Sequence, residues 1–117
     1  MESEYPTPLT ERCPIENTLD ILGGKWKPLI LYFLFKGTKR FGELQRLMPN
    51  VSRQMLTQHL RELEADSIIH REVYQQVPPK VEYSLTELGK SLVPVLMVML
   101  DWGVQYKDRQ SRLTAEK

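Results

Sequence analysis

The stretch VSRQMLTQHLRELE, residues 51–64, decides the fold, because it predicts a helix with two unlike faces. At about 100° per residue, an aliphatic face collects Met55, Leu56, Leu60 and Leu63, with His59 at its edge. The opposite, polar face collects Arg53, Gln54, Thr57, Gln58 and Arg61. The first face is expected to pack on the preceding helices, and the second is free to enter a groove.

The residue types on the polar face are those that hydrogen-bond well to nucleic-acid bases. Arg pairs bidentately with guanine, Gln pairs with adenine, and the methyl group of Thr touches thymine. Acidic residues are absent from the centre of this face, since Glu62 and Glu64 lie to its sides. For this helix taken alone, the solvated face of an ordinary amphipathic helix is the alternative interpretation.

A short helix is predicted just before this one, over FGELQRLMP, residues 41–49, with Leu44, Leu47 and Met48 facing inward. Ser52 is the expected N-cap of the following helix. Two short helices joined by a tight turn form the helix-turn-helix pattern, whose second helix places its N-terminal residues on base edges. We therefore predict base contacts from Ser52, Arg53, Gln54, Thr57 and Gln58, and a backbone contact from Arg61.

The rest of the chain supplies two earlier helices, a hairpin and a long last helix. Residues 15–22 predict a first helix, and residues 25–37 predict a helix that is apolar all round and therefore buried. Residues 38–40 form a short link or a minimal strand. Residues 68–74 and 81–85 are β-prone and flank the turn QQVPP, which gives a projecting wing. Thr86 is expected to cap a last helix that Pro94 kinks.

This order of elements predicts a mainly α fold with a small β-hairpin wing, a winged helix-turn-helix. At 117 residues the chain is expected to hold one domain, residues 13–110. An N-terminal arm at residues 1–12 precedes it, and a flexible tail at residues 111–117 follows it.

Charge is segregated along the chain although the formal net charge is only +1. Residues 25–61 contain eight Lys or Arg and one acidic residue, a net +7, so the remainder carries −6. This favours a polyanionic partner. At the tip of the wing, Lys80 is a predicted DNA-backbone contact, with a solvated lysine as the equal alternative. Arg71 at the base of the wing, and Lys39 and Arg40 before the third helix, are further predicted backbone contacts.

Several other classes of protein are disfavoured by the sequence. We expect a cytoplasmic protein without membrane contact, for three reasons. The chain has a single cysteine, its N-terminus is not a basic and then apolar leader, and its apolar runs are far shorter than the ~20 residues that a bilayer needs. The stretch GGKWK lacks the first Gly and the Ser/Thr of a phosphate loop. We find no nucleophile–base arrangement, no metal-ligand pattern and no sign of a cofactor, and we expect no enzymatic activity.

The last helix carries two apolar stripes, and two stripes need two partners. One stripe surrounds Leu88 and contains Leu92, Val95, Leu96, Met99, Trp102 and Tyr106. The second contains Val93, Met97, Leu100 and Val104, which we predict to be a homodimer interface. The alternative is that the first helix or the N-terminal arm covers this second stripe within one chain.

The strings GGKWK, RFGEL, LTQHLRELE and PPKVEYSLTELG together resemble the HxlR-type family of winged-helix transcription regulators, which is related to the MarR group. The resemblance covers roughly residues 13–103. It implies a homodimer built through the first and last helices, operator binding through residues 52–66 and the wing, and control of nearby genes as repressor or activator. One departure is Ser67, where the family usually has Gly. The departure concerns the geometry of the local turn, because Ser tolerates a left-handed backbone less well than Gly.

Cys13 aligns with a Cys-Pro pair found in many relatives, some of which sense electrophiles or oxidants through it. The N-terminus of a helix favours a thiolate there, whereas the charge of Glu16 disfavours one. With no second cysteine, the remaining chemistry is alkylation, a mixed disulfide or a Cys13–Cys13 bridge across a dimer. The alternative is a small, partly buried packing residue.

These patterns predict a sequence-specific DNA-binding transcriptional regulator that acts as a homodimer on a two-fold operator. Its predicted partners are double-stranded DNA and a second copy of itself, with a small-molecule or oxidant effector left unidentified. The alternative is a winged-helix module for protein–protein assembly, which is expected to expose more aromatic and aliphatic side chains along residues 53–61.

Overall fold

The computed structural model describes residues 12–115. This part of the chain forms six helices and one antiparallel hairpin: α1 Pro14–Leu22, α2 Trp26–Lys36, α3 Phe41–Leu47, α4 Arg53–Ala65, β1 Ile69–Tyr74, β2 Lys80–Leu85, α5 Glu87–Lys90 and α6 Val93–Ala115. The predicted winged helix-turn-helix architecture is confirmed. The predicted N-terminal arm lies outside the described residues except for Arg12. Within residues 12–115, no helix combines the length and the apolar character needed to cross a membrane.

Helix α2 lies at the centre of the domain and packs against α1, α4, α6 and β2. Ile30 and Leu31 are fully buried, as expected for a central helix. The prediction that α2 is buried all round is nevertheless wrong, because Leu29 and Phe35 are exposed. The core around α2 consists of Leu22, Ile30, Leu31, Leu34, Leu44, Met48, Val51, Leu56, Leu60, Leu63, Ile68, Ile69, Tyr83 and Leu96.

The turn between α3 and α4 is held by one side chain from each side. Gln45 Nε2 donates to the carbonyl oxygen of Val51 at 2.8 Å, and Val51 itself is buried. The hydroxyl of Ser52 accepts from the N–H of Met55 at 3.0 Å, which confirms the predicted N-cap. These contacts fix the direction in which α4 leaves the turn.

Helix α3 differs from its prediction at one residue. Leu44 and Met48 are buried, but Leu47 is exposed rather than inward-facing. Leu44 and Met48 are one turn apart and centre the inward face, whereas Leu47 lies about 60° to the other side of Leu44. Leu47 instead lines a shallow surface cleft with Lys39.

Helix α4 ends in a left-handed residue. Ser67 has φ 62°, which is the left-handed conformation that Gly adopts more easily than Ser. The N–H of Ser67 donates to Glu64 at 2.9 Å and that of Ile68 donates to Leu63 at 3.0 Å, which together form a Schellman motif. The Thr86 hydroxyl lies 2.7 Å from the Ser67 carbonyl oxygen and 3.0 Å from that of Ile68.

The wing is a regular hairpin whose register runs from the pair Ile69–Leu85 to the pair Tyr74–Lys80. The predicted minimal strand before α3 is confirmed as a single bridge between Lys39 and Tyr83. The N–H of Lys39 donates to Tyr83 at 3.0 Å, and the N–H of Tyr83 donates back at 2.8 Å. The bridge attaches the wing to the segment that leads into α3.

The last helix is divided, which corrects the prediction of one kinked helix. Thr86 caps the four-residue α5, its hydroxyl accepting from the N–H of Gly89 at 3.0 Å, and α6 begins only at Val93. A proline ring excludes the carbonyl four residues earlier, here that of Lys90, so the chain turns and Pro94 lies in the first turn of a new helix. Helix α6 then runs to Ala115, beyond the predicted end of the domain at residue 110.

Candidate nucleic-acid interface

The polar side chains of α4 and the leucines of its aliphatic face lie on opposite sides of the helix, as predicted. Leu56, Leu60 and Leu63 on the aliphatic face are buried against the core. On the polar face, Arg53, Gln54, Gln58 and Arg61 are exposed and Thr57 is half-buried. The fold therefore positions the polar face on the surface by burying the opposite one.

Met55 belongs to the exposed side, not to the aliphatic face to which the sequence assigned it. Its side chain is 45% exposed and lines a shallow surface depression together with Arg53, Gln54, Thr57, Gln58 and Arg61. Met55 lies about 100° from the centre of the aliphatic face, so the docking of α4 leaves it outside. It adds one apolar, adaptable side chain to the polar face.

Arg53 is oriented by an aromatic ring from α3. Its guanidinium carbon lies 4.8 Å from the centre of the Phe41 ring, which is within the range of a cation–π interaction. Thr57 donates its hydroxyl proton to the carbonyl oxygen of Arg53 at 2.9 Å. That bond satisfies the hydroxyl donor inside the helix, so the methyl group and the two lone pairs of the hydroxyl oxygen are what Thr57 offers to a partner.

Gln58 is tied to α2 through an ion pair. Its Nε2 donates to Glu62 Oε2 at 2.9 Å, and Nζ of Lys27 lies 2.9 Å from Glu62 Oε1. Hydrogen bonds from Gln58 and then from Lys27 lower the pKa of Glu62 to about 2. The Nδ1 atom of His59 is 3.6 Å from the same Oε1 atom. Sequence spacing did not predict the Lys27–Glu62 pair, because the two residues are 35 apart in the sequence. The Gln58–Glu62 contact was also missed, although its i,i+4 spacing on one helix is a signal that could have found it.

Two arginines from different elements meet at one cleft between α4 and the wing. Arg61 from α4 and Arg71 from β1 line a cleft of about 300 Å³, whose wall includes Leu60 and Tyr83. Glu64 also lines it. Both arginines are exposed, so the cleft can receive a phosphate group from the backbone of a nucleic acid.

Lys80 does not lie at the tip of the wing. It is the first residue of β2, where its Nζ is 3.4 Å from Glu82 and 4.9 Å from the centre of the Tyr74 ring. Hydrogen bonding to Glu82 raises the pKa of Tyr74. The tip itself is uncharged, and Val77 there is 99% exposed.

The other two predicted backbone contacts lie before α3. The Lys39 ammonium group donates to the carbonyl oxygen of Gly37 at 3.3 Å, and Lys39 is half-buried. Arg40 is exposed and is the N-cap residue of α3, where its N–H donates to Glu43 at 2.8 Å.

The predicted dimer stripe on α6 is divided between two environments. Met97 is partly buried against the core of its own domain, and Val93 is half-buried, whereas Leu100 and Val104 are exposed. Four apolar side chains of the other stripe, the one around Leu88, are exposed as well: Val95, Met99, Trp102 and Tyr106. Helix α6 docks on α2 only near its start, so its remaining length leaves both stripes uncovered.

Helix α1 contributes a second exposed apolar surface. Ile15 is 66% and Leu19 57% exposed, although they are spaced to share one side of the helix. On α6, Trp102 and Tyr106 stack with their ring centres 5.3 Å apart and their planes only 9° from parallel. Apolar side chains are therefore exposed on both α1 and α6.

Cys13 is exposed at the N-cap of α1, which contradicts its interpretation as a packing residue within one chain. Its N–H donates to Glu16 Oε2 at 3.1 Å. The neighbouring Arg12 binds Asp20 at 2.7 Å, and that bond lowers the pKa of Asp20. In the part of the chain described, no group of three His, Cys, Asp or Glu side chains is arranged to hold a metal ion.

A helix pair with an exposed amide- and arginine-bearing second helix, followed by a hairpin that is bridged to the helix pair, defines a winged helix-turn-helix protein. Residues 21–111 match the model of the HxlR-like helix-turn-helix family. The chain belongs to this family, as the resemblance implied.

Relatives and solved structures agree with this assignment. The chain is 57% identical over 114 residues to the HTH-type transcriptional regulator YdeP of Bacillus subtilis. These residues are 97% of this chain and 89% of YdeP. It is similar to the redox regulator HypR in its reduced form, with a TM-score of 0.81 and 54% identity over 85% of this chain and 98% of HypR. The oxidized form of HypR gives a TM-score of 0.77 and 57% identity over 80% of this chain and 96% of that one.

Proposed function

We propose that this protein is a sequence-specific DNA-binding regulator of transcription that acts as a homodimer on a two-fold operator. The observation that carries the proposal is the exposed polar face of α4, which holds two arginines and two glutamines and no acidic residue at its centre. Such a face suits the edges of bases in the major groove. We infer base contacts from Ser52, Arg53, Gln54, Thr57 and Gln58.

Backbone contacts are proposed for residues that flank α4. The cleft lined by Arg61 and Arg71 also includes Glu64, so its lining keeps a net positive charge for a backbone phosphate. Lys39 and Arg40 supply further charge before α3. Lys80 is the weakest of the five, because its ammonium group already pairs with Glu82.

The dimer is proposed from the exposed apolar residues of α1 and α6. A stacked Trp102–Tyr106 pair and the exposed Leu100 and Val104 form a surface that burial against a second copy would remove from water. A two-fold arrangement through these helices leaves both α4 helices free to read half-sites. Met97 is assigned to the domain core on this proposal and not to the interface.

The alternative, an assembly module without DNA binding, is not favoured by the polar face of α4. Interfaces between proteins concentrate aromatic and aliphatic side chains at their centres. Met55 is the only exposed apolar side chain that lines this face among the residues described. We place the protein in the cytoplasm, because bacterial DNA is found there. Its proposed activity requires binding alone and no catalysis.

Thiol sensing through Cys13 is proposed as the control of this activity, because Cys13 is exposed and the similar protein HypR is a redox regulator. A quinone adds to the thiolate by forming an S–C bond while the ring accepts the electron pair. Diamide removes two electrons and two protons from two Cys13 thiols, one in each protomer, to give a disulfide.

Fluorescence anisotropy with DNA from around the protein's own gene, footprinted first with the purified protein, tests the function. We expect specific binding that weakens steeply with salt and is lost in Arg53→Ala. Equal binding to random duplexes by the native protein contradicts sequence-specific regulation. Treatment with a quinone or diamide should change operator binding by native protein but not by Cys13→Ser, and identical responses contradict the sensor role.

A further inference from the structure

The amide of Gln58 is tied to the body of the domain by a chain of three side chains. Its Nε2 donates to Glu62 Oε2 at 2.9 Å, one turn further along α4. The other carboxylate oxygen of Glu62 lies 2.9 Å from Nζ of Lys27, in the first turn of α2. The Lys27–Glu62–Gln58 chain thus joins the polar face of α4 to the central helix.

The chemistry of Glu62 fixes which end of the Gln58 amide faces it. An ionised carboxylate only accepts hydrogen bonds, and Glu62 is ionised at neutral pH, where it pairs with the Lys27 ammonium group at 2.9 Å. Turning the amide over places its carbonyl oxygen against a carboxylate oxygen, which is repulsive. The NH₂ group of Gln58 therefore faces Glu62, and its carbonyl oxygen faces away.

Lys27 restrains the carboxylate from the other side. Its side chain is only 12% exposed, against 42% for that of Glu62. The stem of a lysine held along apolar surface has already lost much of its rotamer freedom, so the ion pair restricts it little further. Lys27 also belongs to α2, whose Ile30 and Leu31 are fully buried, so the anchor of the chain is part of the rigid core.

We propose that Gln58 is a specificity-determining residue whose carbonyl oxygen accepts a hydrogen bond from an exocyclic amino group, and that Glu62 and Lys27 are positioning residues for it. This rests on the proposed function, since it requires α4 to lie in the major groove. There, adenine N6 and cytosine N4 are donors, whereas guanine O6 and thymine O4 are acceptors. The tethered amide favours adenine or cytosine at the position it contacts, whereas a free glutamine turns its amide and accepts all four bases.

Selection from a pool of DNA duplexes tests the proposal. The pool carries about 20 randomised base pairs, which accommodates two half-sites one helical turn apart. The pool is selected in parallel on four proteins: native protein, Gln58→Ala, Glu62→Ala and Lys27→Met. Sequencing of the bound DNA gives the base preference of each protein at every position. Asp66→Ala is the matched control, because Asp66 is an exposed acid at the C-cap of the same helix, outside the proposed DNA contacts.

In the native protein we expect one position per half-site to prefer amino-bearing bases by about tenfold or more, and Gln58→Ala to abolish that preference. Glu62→Ala should reduce it to about twofold or less, with Lys27→Met in between, since both release the amide. Asp66→Ala should leave it unchanged. The preferences at other positions and the salt dependence of binding should stay native, which a general loss of structure does not allow.

The outcomes separate this inference from the proposed function. A Glu62→Ala protein that keeps the native preference at the Gln58-dependent position overturns the positioning role, and so does a Gln58→Ala protein that changes no position. A native protein that enriches no sequence contradicts the proposed function itself. The double variant Gln58→Ala/Glu62→Ala should match Gln58→Ala at that position, and any further change there shows that Glu62 acts without Gln58.

Discussion

The guanidinium carbon of Arg53, the first residue of α4, lies 4.8 Å from the ring centre of Phe41, the first residue of α3. The two helices of the helix-turn-helix are thereby in contact at their N-terminal ends, beside the surface proposed to read DNA. The aromatic ring restrains a long, flexible side chain before any partner arrives, and such restraint lowers the entropy lost on binding.

Replacement of Phe41 by Leu should therefore weaken operator binding while leaving the domain folded. A cation–π contact at an exposed site contributes about 0.5–1 kcal/mol, so we expect a loss of about two- to fivefold in affinity. Fluorescence anisotropy measures it. Phe35→Leu is the control, because Phe35 is an exposed aromatic residue on α2, outside the pair of helices that carries the Arg53–Phe41 contact. Equal effects of the two substitutions contradict the role of the Arg53–Phe41 contact.

The Lys27–Glu62 pair predicts a specific dependence of stability on pH. The pKa of Glu62 is about 2 in the folded protein, below its ordinary value of 4.5, so the folded state holds the proton less tightly than the unfolded chain. The contribution of Glu62 is complete above about pH 4.5 and is lost as the pH falls towards 2. Urea unfolding of native protein and Glu62→Gln should show a stability difference that is constant from pH 7 to 5 and then shrinks. A difference that stays constant down to pH 2 contradicts the assignment.

Ser67 predicts a gain in stability. A left-handed conformation costs a non-glycine residue about 1–2 kcal/mol, and the greater freedom of Gly in the unfolded chain offsets about half of that. Ser67→Gly should therefore raise the free energy of unfolding by about 0.5–1 kcal/mol in urea titrations. Ser91→Gly is the control and should lower it, because Ser91 has φ −67° in the helical region. A loss of stability in Ser67→Gly contradicts the argument.

Arg71 and Lys80 predict unequal effects on the salt dependence of DNA binding. Each phosphate contact that is removed lowers the slope of log affinity against log salt by about one. We expect that change for Arg61→Ala and Arg71→Ala, which share the cleft beside the wing. Lys80→Ala should change the slope less, because Glu82 lies 3.4 Å from its ammonium group. A larger effect for Lys80 than for Arg71 places the backbone contact on β2 instead.

Sequence reasoning predicted the features that depend on local pattern. The N-cap at Ser52, the hairpin and the burial of Leu56 and Leu60 follow from capping chemistry and periodicity, which act within a few residues. Met55 and Leu47 were assigned wrongly because each lies at the edge of an apolar face, where the docking angle of the helix decides burial. Periodicity gives the direction of a face but not its width.

Contacts between distant elements were beyond the sequence pattern. The Lys27–Glu62 pair and the Arg53–Phe41 contact depend on how α2, α3 and α4 are packed and on side-chain rotamers. The break between α5 and α6 was missed for another reason: Pro94 is compatible both with a kink and with a new helix, and the residues around it have the same composition in either case.

The hydroxyl of Thr86 is within hydrogen-bond distance of the two carbonyl oxygens that follow α4, and it also caps α5. One threonine therefore links the segment after α4 to the start of α5, at the point where the hairpin ends. In a two-fold dimer, the distance between the two reading helices would then depend on the angle at which the α6 helices cross. The crossing angle of the α6 helices would therefore set the separation of the two half-sites that the dimer can bind.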